Sequence, residues 1–208
     1  MGISRIADGE PQEGKRRDGR ALLIKGARQL LAEKGYAGME LRDVAERGKA
    51  PRGSIYHHFP GGKSQLAAEA AKVEGEEIGA LIERSLEERG LRGTLERFGG
   101  IFRRRVVDHP ERIGCPVAAA ALARPEDPEL AAAATTAFGS WEKPIAAALL
   151  DEGVSRRDAE TFAGLVVSTV EGALIRARAA GSTDPLDSAI GGLGQALDRL
   201  LEGSPASH

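Results

Sequence analysis

The side chains with the greatest chemical capacity in this chain gather in one short stretch. Arg52, Gly53, Ser54, Tyr56, His57, His58 and Lys63 follow one another closely, and Arg42, Lys49 and Pro51 stand just ahead of them. Arginine pairs bidentately with a guanine edge or a phosphate, lysine meets phosphate as a point charge, and tyrosine and histidine carry polar tips on flat rings. Gly53 and Ser54 are small enough to let a duplex approach, and backbone N–H groups at a helix start can hold a phosphate. These are tools for gripping a nucleic acid, not for breaking a bond.

Other chemistries fit the residues less well. His57 and His58 are adjacent, so on a helix they point about 100° apart and do not share a metal ion. Cys115 is the only cysteine, which excludes an internal disulfide and a cysteine-only metal site. Beside Pro116 in an alanine-rich run it reads as a small core side chain. His109 and His208 are the remaining histidines. No glycine-rich phosphate loop, nucleophile elbow or paired metal-ligand motif occurs, so neither a catalytic site nor a cofactor is expected.

The charge distribution supports the first reading. The chain has 208 residues and a net charge of −2, but residues 1–63 carry 13 Lys/Arg against 8 Asp/Glu while residues 64–208 carry 16 against 23. A basic head on an acidic body is the asymmetry expected of a DNA reader joined to a sensing domain. No apolar run approaches the roughly 20 residues that cross a bilayer, and Met1 to Arg20 lacks the apolar centre of a signal peptide. A cytoplasmic protein is expected.

The elements that must position the cluster read as helices throughout. Residues 1–16 look like a flexible basic arm ending in Lys15, Arg16, Arg17 and Arg20. Residues 17–62 then form a three-helix head. Leu23, Ala27, Leu30 and Leu31 recur at helical spacing up to Gly35, Leu41, Val44 and Ala45 mark a second helix, and Gly48-Lys49-Ala50-Pro51 is a turn into a third from Arg52 to Phe59. Residues 63–208 form a helical body. Helices are expected over 63–89, 91–108 and 111–123, and Asp127-Pro128-Glu129 opens another to about Glu152. Ser155-Arg156-Arg157-Asp158, a capping box with Asp for Glu, opens a helix to Ala180, and the last runs 184–202. The fold class is all-α, with about nine helices. Three short helices with a tight turn before the third are a helix-turn-helix, whose third helix lies in the major groove.

The runs Gly35-Tyr36, Leu41-Arg42-Asp43-Val44-Ala45, Gly53-Ser54-Ile55-Tyr56-His57-His58-Phe59, then Lys63 and Leu66, resemble the N-terminal domain of TetR-family transcriptional regulators over residues 17–66. Gly114-Cys115-Pro116-Val117-Ala118-Ala119 is similar to a run in the branch containing LmrA- and YxaF-type regulators. The resemblance implies an all-helical homodimer, a palindromic operator, and a C-terminal domain that binds a small-molecule effector. Two positions depart from the family. Met39-Glu40 stands where a Thr or Ser usually caps the second helix and touches a phosphate, and Lys49-Ala50-Pro51 replaces the usual Gly-Val-Ser turn.

In the body, Phe98, Ile101, Phe102, Cys115, Phe138, Trp141, Leu165 and Thr169 are the candidate lining of an apolar effector pocket. The helices 155–180 and 184–202 are expected to pair across a dimer, with Gly164, Ala173, Gly191 and Gly194 permitting close approach. A repressor released by an apolar ligand is the expected function. Left open are an enzyme or redox sensor on a helical scaffold, and an architectural DNA binder without sequence preference.

Overall fold

The computed structural model describes residues 12–110 and 114–203, without the side chains of residues 12–18 and Arg52. Every regular element among them is helical. In the head, α1 spans Gln12–Lys34, α2 Leu41–Gly48 and α3 Ile55–His58, the last preceded by a 3-10 turn at Arg52–Ser54. The body comprises α4 (Gly62–Asp108), α5 (Pro116–Leu122), α6 (Pro128–Asp151), α7 (Arg156–Ala180) and α8 (Asp184–Glu202). Within α4, Gly90 leaves helical geometry at φ 64°, ψ −172°. A side chain resists that conformation and glycine does not. The break divides α4 into the two helices expected on either side of residue 90.

Three boundaries differ from the sequence reading. α1 begins at Gln12, inside the stretch read as an arm. Gln, Glu, Lys and Arg are good helix formers that extend a helix without needing a core. The third head helix is shorter than Arg52–Phe59, because Ser54 folds onto Pro51. Its backbone N–H and its hydroxyl both donate to the Pro51 carbonyl, at 3.0 and 2.6 Å, which tightens the first turn to 3-10 geometry. α5 is confined to Pro116–Leu122, while residues 111–113 of the expected helix lie outside the described residues.

Local signals set most ends. Gly35 (φ 71°) closes α1 with its N–H on the Leu31 carbonyl at 3.0 Å. Asp127 caps α6 by accepting from the Leu130 N–H at 3.0 Å, ahead of Pro128 at the first position. Ser155 caps α7 from the Asp158 N–H at 3.2 Å and donates to the Asp158 carboxylate at 2.7 Å, completing the box with Asp. At α5, the Cys115 Sγ accepts from the Ala118 N–H at 3.4 Å.

One continuous core joins head and body. Leu23, Leu30, Leu31, Met39, Val44, Phe59 and Leu66 are fully buried in the head, and Leu130, Leu149, Leu186 and Leu197 in the body. Glycines allow the closest crossings. An added Cβ on Gly75 of α4 would lie 2.8 Å from the Ala137 Cβ of α6, and one on Gly99 of α4 would lie 2.9 Å from Ile190 of α8. Beside the first crossing, Trp141 Nε1 donates to the Gly75 carbonyl at 2.8 Å. Arg103 pairs with Asp187, and Arg92 with Asp198, tying α4 to α8. No described helix is long and apolar enough to cross a membrane.

Candidate functional site

The head owes its shape to a backbone crossing. Gly26 of α1 lies so close to α2 that an added Cβ would come 2.4 Å from the Val44 carbonyl oxygen, and one on Gly48 would come 2.3 Å from the Leu22 carbonyl. α2 then ends at Lys49, the only described non-glycine residue with positive φ (55°). The Lys49 and Ala50 N–H groups return to the Glu46 and Ala45 carbonyls at 3.1 and 2.9 Å. This left-handed turn, with Pro51 after it, leads into the Arg52–His58 segment, whose last residue returns to α1 at Gly19.

Ile55 and Phe59 are buried, and they hold the segment down. The opposite side faces solvent. Arg42, Lys49, Pro51, Gly53 and His57 are exposed, and Tyr56 is 66% exposed. Ser54 is half-buried with its hydroxyl committed to Pro51. The Arg52 backbone sits at the start of this face, but its side chain lies outside the described residues. Of the cluster read from the sequence, Arg42, Lys49, Pro51, Gly53, Tyr56 and His57 are therefore exposed to solvent.

Two members are placed differently from that reading. His58 is half-buried, and its Nε2 would lie 3.1 Å from a Cβ on Gly19 of α1. Its ring packs edge-on to those of His57 and Phe59. Lys63 folds back, with Nζ donating to the Ala37 carbonyl at 3.2 Å and lying 4.7 Å from the Tyr36 ring centroid. It pins the loop after α1. At the two departures from the family pattern, Met39 is fully buried, and Glu40 stands at the start of α2 without a side-chain cap. Of the basic arm, Arg20 pairs with Glu69 at 2.9 Å and lies 5.4 Å from the Phe59 ring centroid. The side chains of Lys15, Arg16 and Arg17 lie outside the described residues.

The body encloses a cavity of about 70 Å³ between α4, α6 and α7. Of the candidate lining residues, Phe98, Phe102, Cys115 and Trp141 line it. Ile101, Phe138, Leu165 and Thr169 do not. Phe138 packs edge-on to Trp141 with ring centroids 5.3 Å apart. On α7 the cavity takes Phe162, Val166, Val167, Val170 and Leu174. A step of one residue turns a helix by about 100°, so Leu165 looks outward and is 47% exposed. Of the small residues expected at a dimer face, Ala173 is buried and Gly194 lies beneath the Arg92 guanidinium, whereas Gly191 opens to solvent.

Polar residues that the apolar pattern passed over complete the site. Glu74, Arg105 and Glu171 line the cavity. Arg28 of α1 donates to Glu74 at 2.7 Å and to Glu77 at 2.5 Å. Burial pushes the Glu171 carboxyl up to about 6, against a hydrogen bond from the Cys115 thiol that favours its ionised form. Burial also holds the Cys115 thiol well above its usual value, with the Glu171 charge adding to the effect. A thiol so suppressed has little thiolate character, which argues against a redox sensor. Glu171 was legible as a carboxylate on the same helical stripe as Val167 and Leu174. The Arg28–Glu74 pair, 46 residues apart, had no local signal.

The cavity adjoins the end of α1. A Cβ on Gly114 would meet the Ala32 carbonyl oxygen at 2.2 Å, so the approach to α5 lies directly against that helix. Arg178 of α7 donates to the Ala32 carbonyl at 3.1 Å and to that of Glu33. Tyr36 donates to the Asp127 carboxylate at 3.0 Å, which lowers the Asp127 pKa alongside the stronger effect of Ser64. Residues 28–36 of the head thus carry a cluster of polar contacts to the body.

Residues 23–70 match the family model for bacterial regulatory proteins of the tetR family, and residues 93–191 match that for the LmrA/YxaF-like transcriptional regulator C-terminal domain. An uncharacterized HTH-type transcriptional regulator of Mycobacterium tuberculosis is 32% identical over 174 residues, covering 81% of this chain and 88% of the relative. The HTH-type regulator YxaF of Bacillus subtilis is 30% identical, covering 77% and 85%. In fold, the regulatory protein TetR from Rhodobacter sphaeroides superposes with a TM-score of 0.75 at 22% identity, over 85% of this chain and 97% of that one.

Proposed function

The chain belongs to the TetR family of DNA-binding transcriptional regulators, in its LmrA/YxaF-like branch, and from that premise we propose that it is a cytoplasmic, homodimeric repressor released from a palindromic operator by a small apolar ligand. The observation that carries this reading is the junction of cavity and head. The cavity wall includes Glu74 and Gly114, and these two residues touch Arg28 and Ala32 of α1. A ligand that pushes the wall outward moves the end of α1 and, through the Gly26–Gly48 crossing, the whole reading head.

In the DNA-bound dimer the two Arg52–His58 segments sit about one helical turn apart, roughly 34–36 Å. Arg52 and Tyr56 read or grip the groove, Arg42 and Lys49 hold phosphates, and Lys63 supports the loop beside them. The ligand acts by binding more tightly to an arrangement with a different head spacing. The outward face of α7, with Leu165, Ser168 and Gly172, and that of α8, with Gly191 and Gly192, form the dimer contact.

The test is a footprint on the promoter region of the protein's own gene. Protection of two half-sites about one turn apart, lost on adding an apolar compound that binds the cavity, is expected. A purified chain that ignores this DNA at low ionic strength overturns the proposal.

A further inference from the structure

Most of the cavity wall is apolar, supplied by residues such as Phe98, Phe102, Trp141, Phe162 and Val166. The polar groups in it are mostly occupied. The Thr94 hydroxyl donates to the Gly90 carbonyl at 2.8 Å. Glu74 is held by Arg28 at 2.7 Å. The Arg105 guanidinium lies 5.8 Å from the Phe102 ring centroid and also lines an outer groove with Arg28, Glu74 and His109.

Glu171 is the exception. Its neighbour in the wall is the Cys115 thiol, and although the Arg105 charge acts on it, it forms no ion pair with a lysine or arginine among the described residues. A carboxylate has about four lone-pair sites, and a thiol is a weak donor. Left so in an apolar wall, the ionised group is costly. Its raised pKa, about 6, expresses the same cost.

Its position makes it reachable. Gly114, Cys115, Glu171 and Leu174 line both the cavity and a groove of about 320 Å³ that runs along the end of α1. Glu171 therefore stands where the cavity meets the outside. The α1 carbonyls at Ala32 and Glu33 face this end and already draw the cation of Arg178, as a helix C-terminus favours positive charge.

Resting on the reading of the chain as a ligand-released regulator, we propose that its effector is an apolar compound bearing one protonated amine, whose ammonium pairs with Glu171 while its body fills the cavity. The charge-assisted bond satisfies the carboxylate that the protein leaves underpaired. A neutral alcohol satisfies it only in part. An anion is repelled by Glu171, and the nearby Arg105 charge reduces that repulsion without forming an ion pair to Glu171.

The full-length protein is titrated with phenylbutylamine, phenylbutanol and phenylbutyrate by calorimetry. Quenching of Trp141, the sole tryptophan and a cavity residue, is the second readout. The amine is expected to bind at least about tenfold more tightly than the alcohol, a difference of about 1.4 kcal/mol, and phenylbutyrate most weakly. In Glu171→Gln the amine-to-alcohol ratio falls to near one. In the unmodified protein, amine affinity falls as pH drops through about 6, because the proton competes for the same carboxylate. Glu74, Arg105 and Cys115 line the cavity with Glu171, and Lys34, Tyr36, Glu126 and Arg178 line the groove with it, so loss of the pH dependence in Glu171→Gln assigns the titration. The pH profile needs no variant and stands even if Glu171→Gln folds poorly.

Equal binding of amine and alcohol, tighter binding of phenylbutyrate, or no binding of the amine overturns the inference. A protein that holds its promoter DNA and yet shows one of these results refutes the amine alone. One that ignores DNA refutes the regulator reading, and the inference with it.

Discussion

Gly26 of α1 and Gly48 of α2 meet with no room for a side chain on either, and that contact sets the angle between the first two helices of the reading head. The atoms that a methyl group would strike are the Val44 and Leu22 carbonyl oxygens, which are backbone and cannot swing aside. Packing here is decided by main chain against main chain.

Gly26→Ala or Gly48→Ala is therefore expected to destabilise the fold by about 1–3 kcal/mol, as overpacking does, and to weaken operator binding as α2 is displaced. Gly139→Ala in α6 is the control. Nothing lies within 4 Å of its Cβ position, so the helical preference for alanine should stabilise by about 0.5–1 kcal/mol. Thermal unfolding of the three variants checks both signs.

Arg52→Ala is expected to cost about 1–3 kcal/mol of operator affinity and to relax the sequence preference at one base pair. Arg42→Ala should weaken all sequences alike and reduce the salt dependence by about one ion. Binding isotherms on operator and scrambled DNA at several salt concentrations separate the two. An unchanged affinity in both variants would remove these residues from the interface.

Arg28 and Glu74 form a nearly buried ion pair, with Glu74 6% exposed. Arg28→Met strands the carboxylate and is expected to cost about 3–5 kcal/mol, whereas Arg28→Met combined with Glu74→Met recovers most of the loss. Urea unfolding of the single and double variants gives the coupling. Additive losses would show that the pair does not act as a unit.

The Glu171 carboxyl has a folded pKa of about 6 against an ordinary value of 4.5. The folded chain thus takes up a proton more readily than the unfolded one. Above about pH 6 the buried charge costs stability, by about 2 kcal/mol, and the cost fades as pH falls from 6 towards 4.5. Glu171→Gln is expected to be more stable than the parent at about pH 7.5, with the gap closing at about pH 5. Urea unfolding at the two pH values measures it, and a gap that widens on acidification contradicts the assignment.

Much of this molecule was written locally. Gly35, Asp127-Pro128, Ser155 with Asp158, and the helical spacing of Leu23, Ala27, Leu30 and Leu31 act over one or two turns, and each gave its element from the residues alone. The exposure of Gly53, Tyr56 and His57 was legible for the same reason, because Ile55 and Phe59 fix which side of one short segment is buried. The orientation of Leu165, the folding back of Lys63 onto Ala37, and the turning of His58 towards Gly19 were not legible. Each depends on a surface supplied by another helix. The same holds for Arg28 with Glu74. Periodicity tells a helix which stripe is apolar. It does not say which distant partner meets an isolated charge on that stripe, since long-range pairing leaves no mark on the spacing of either residue, and only the packed fold brings the two together.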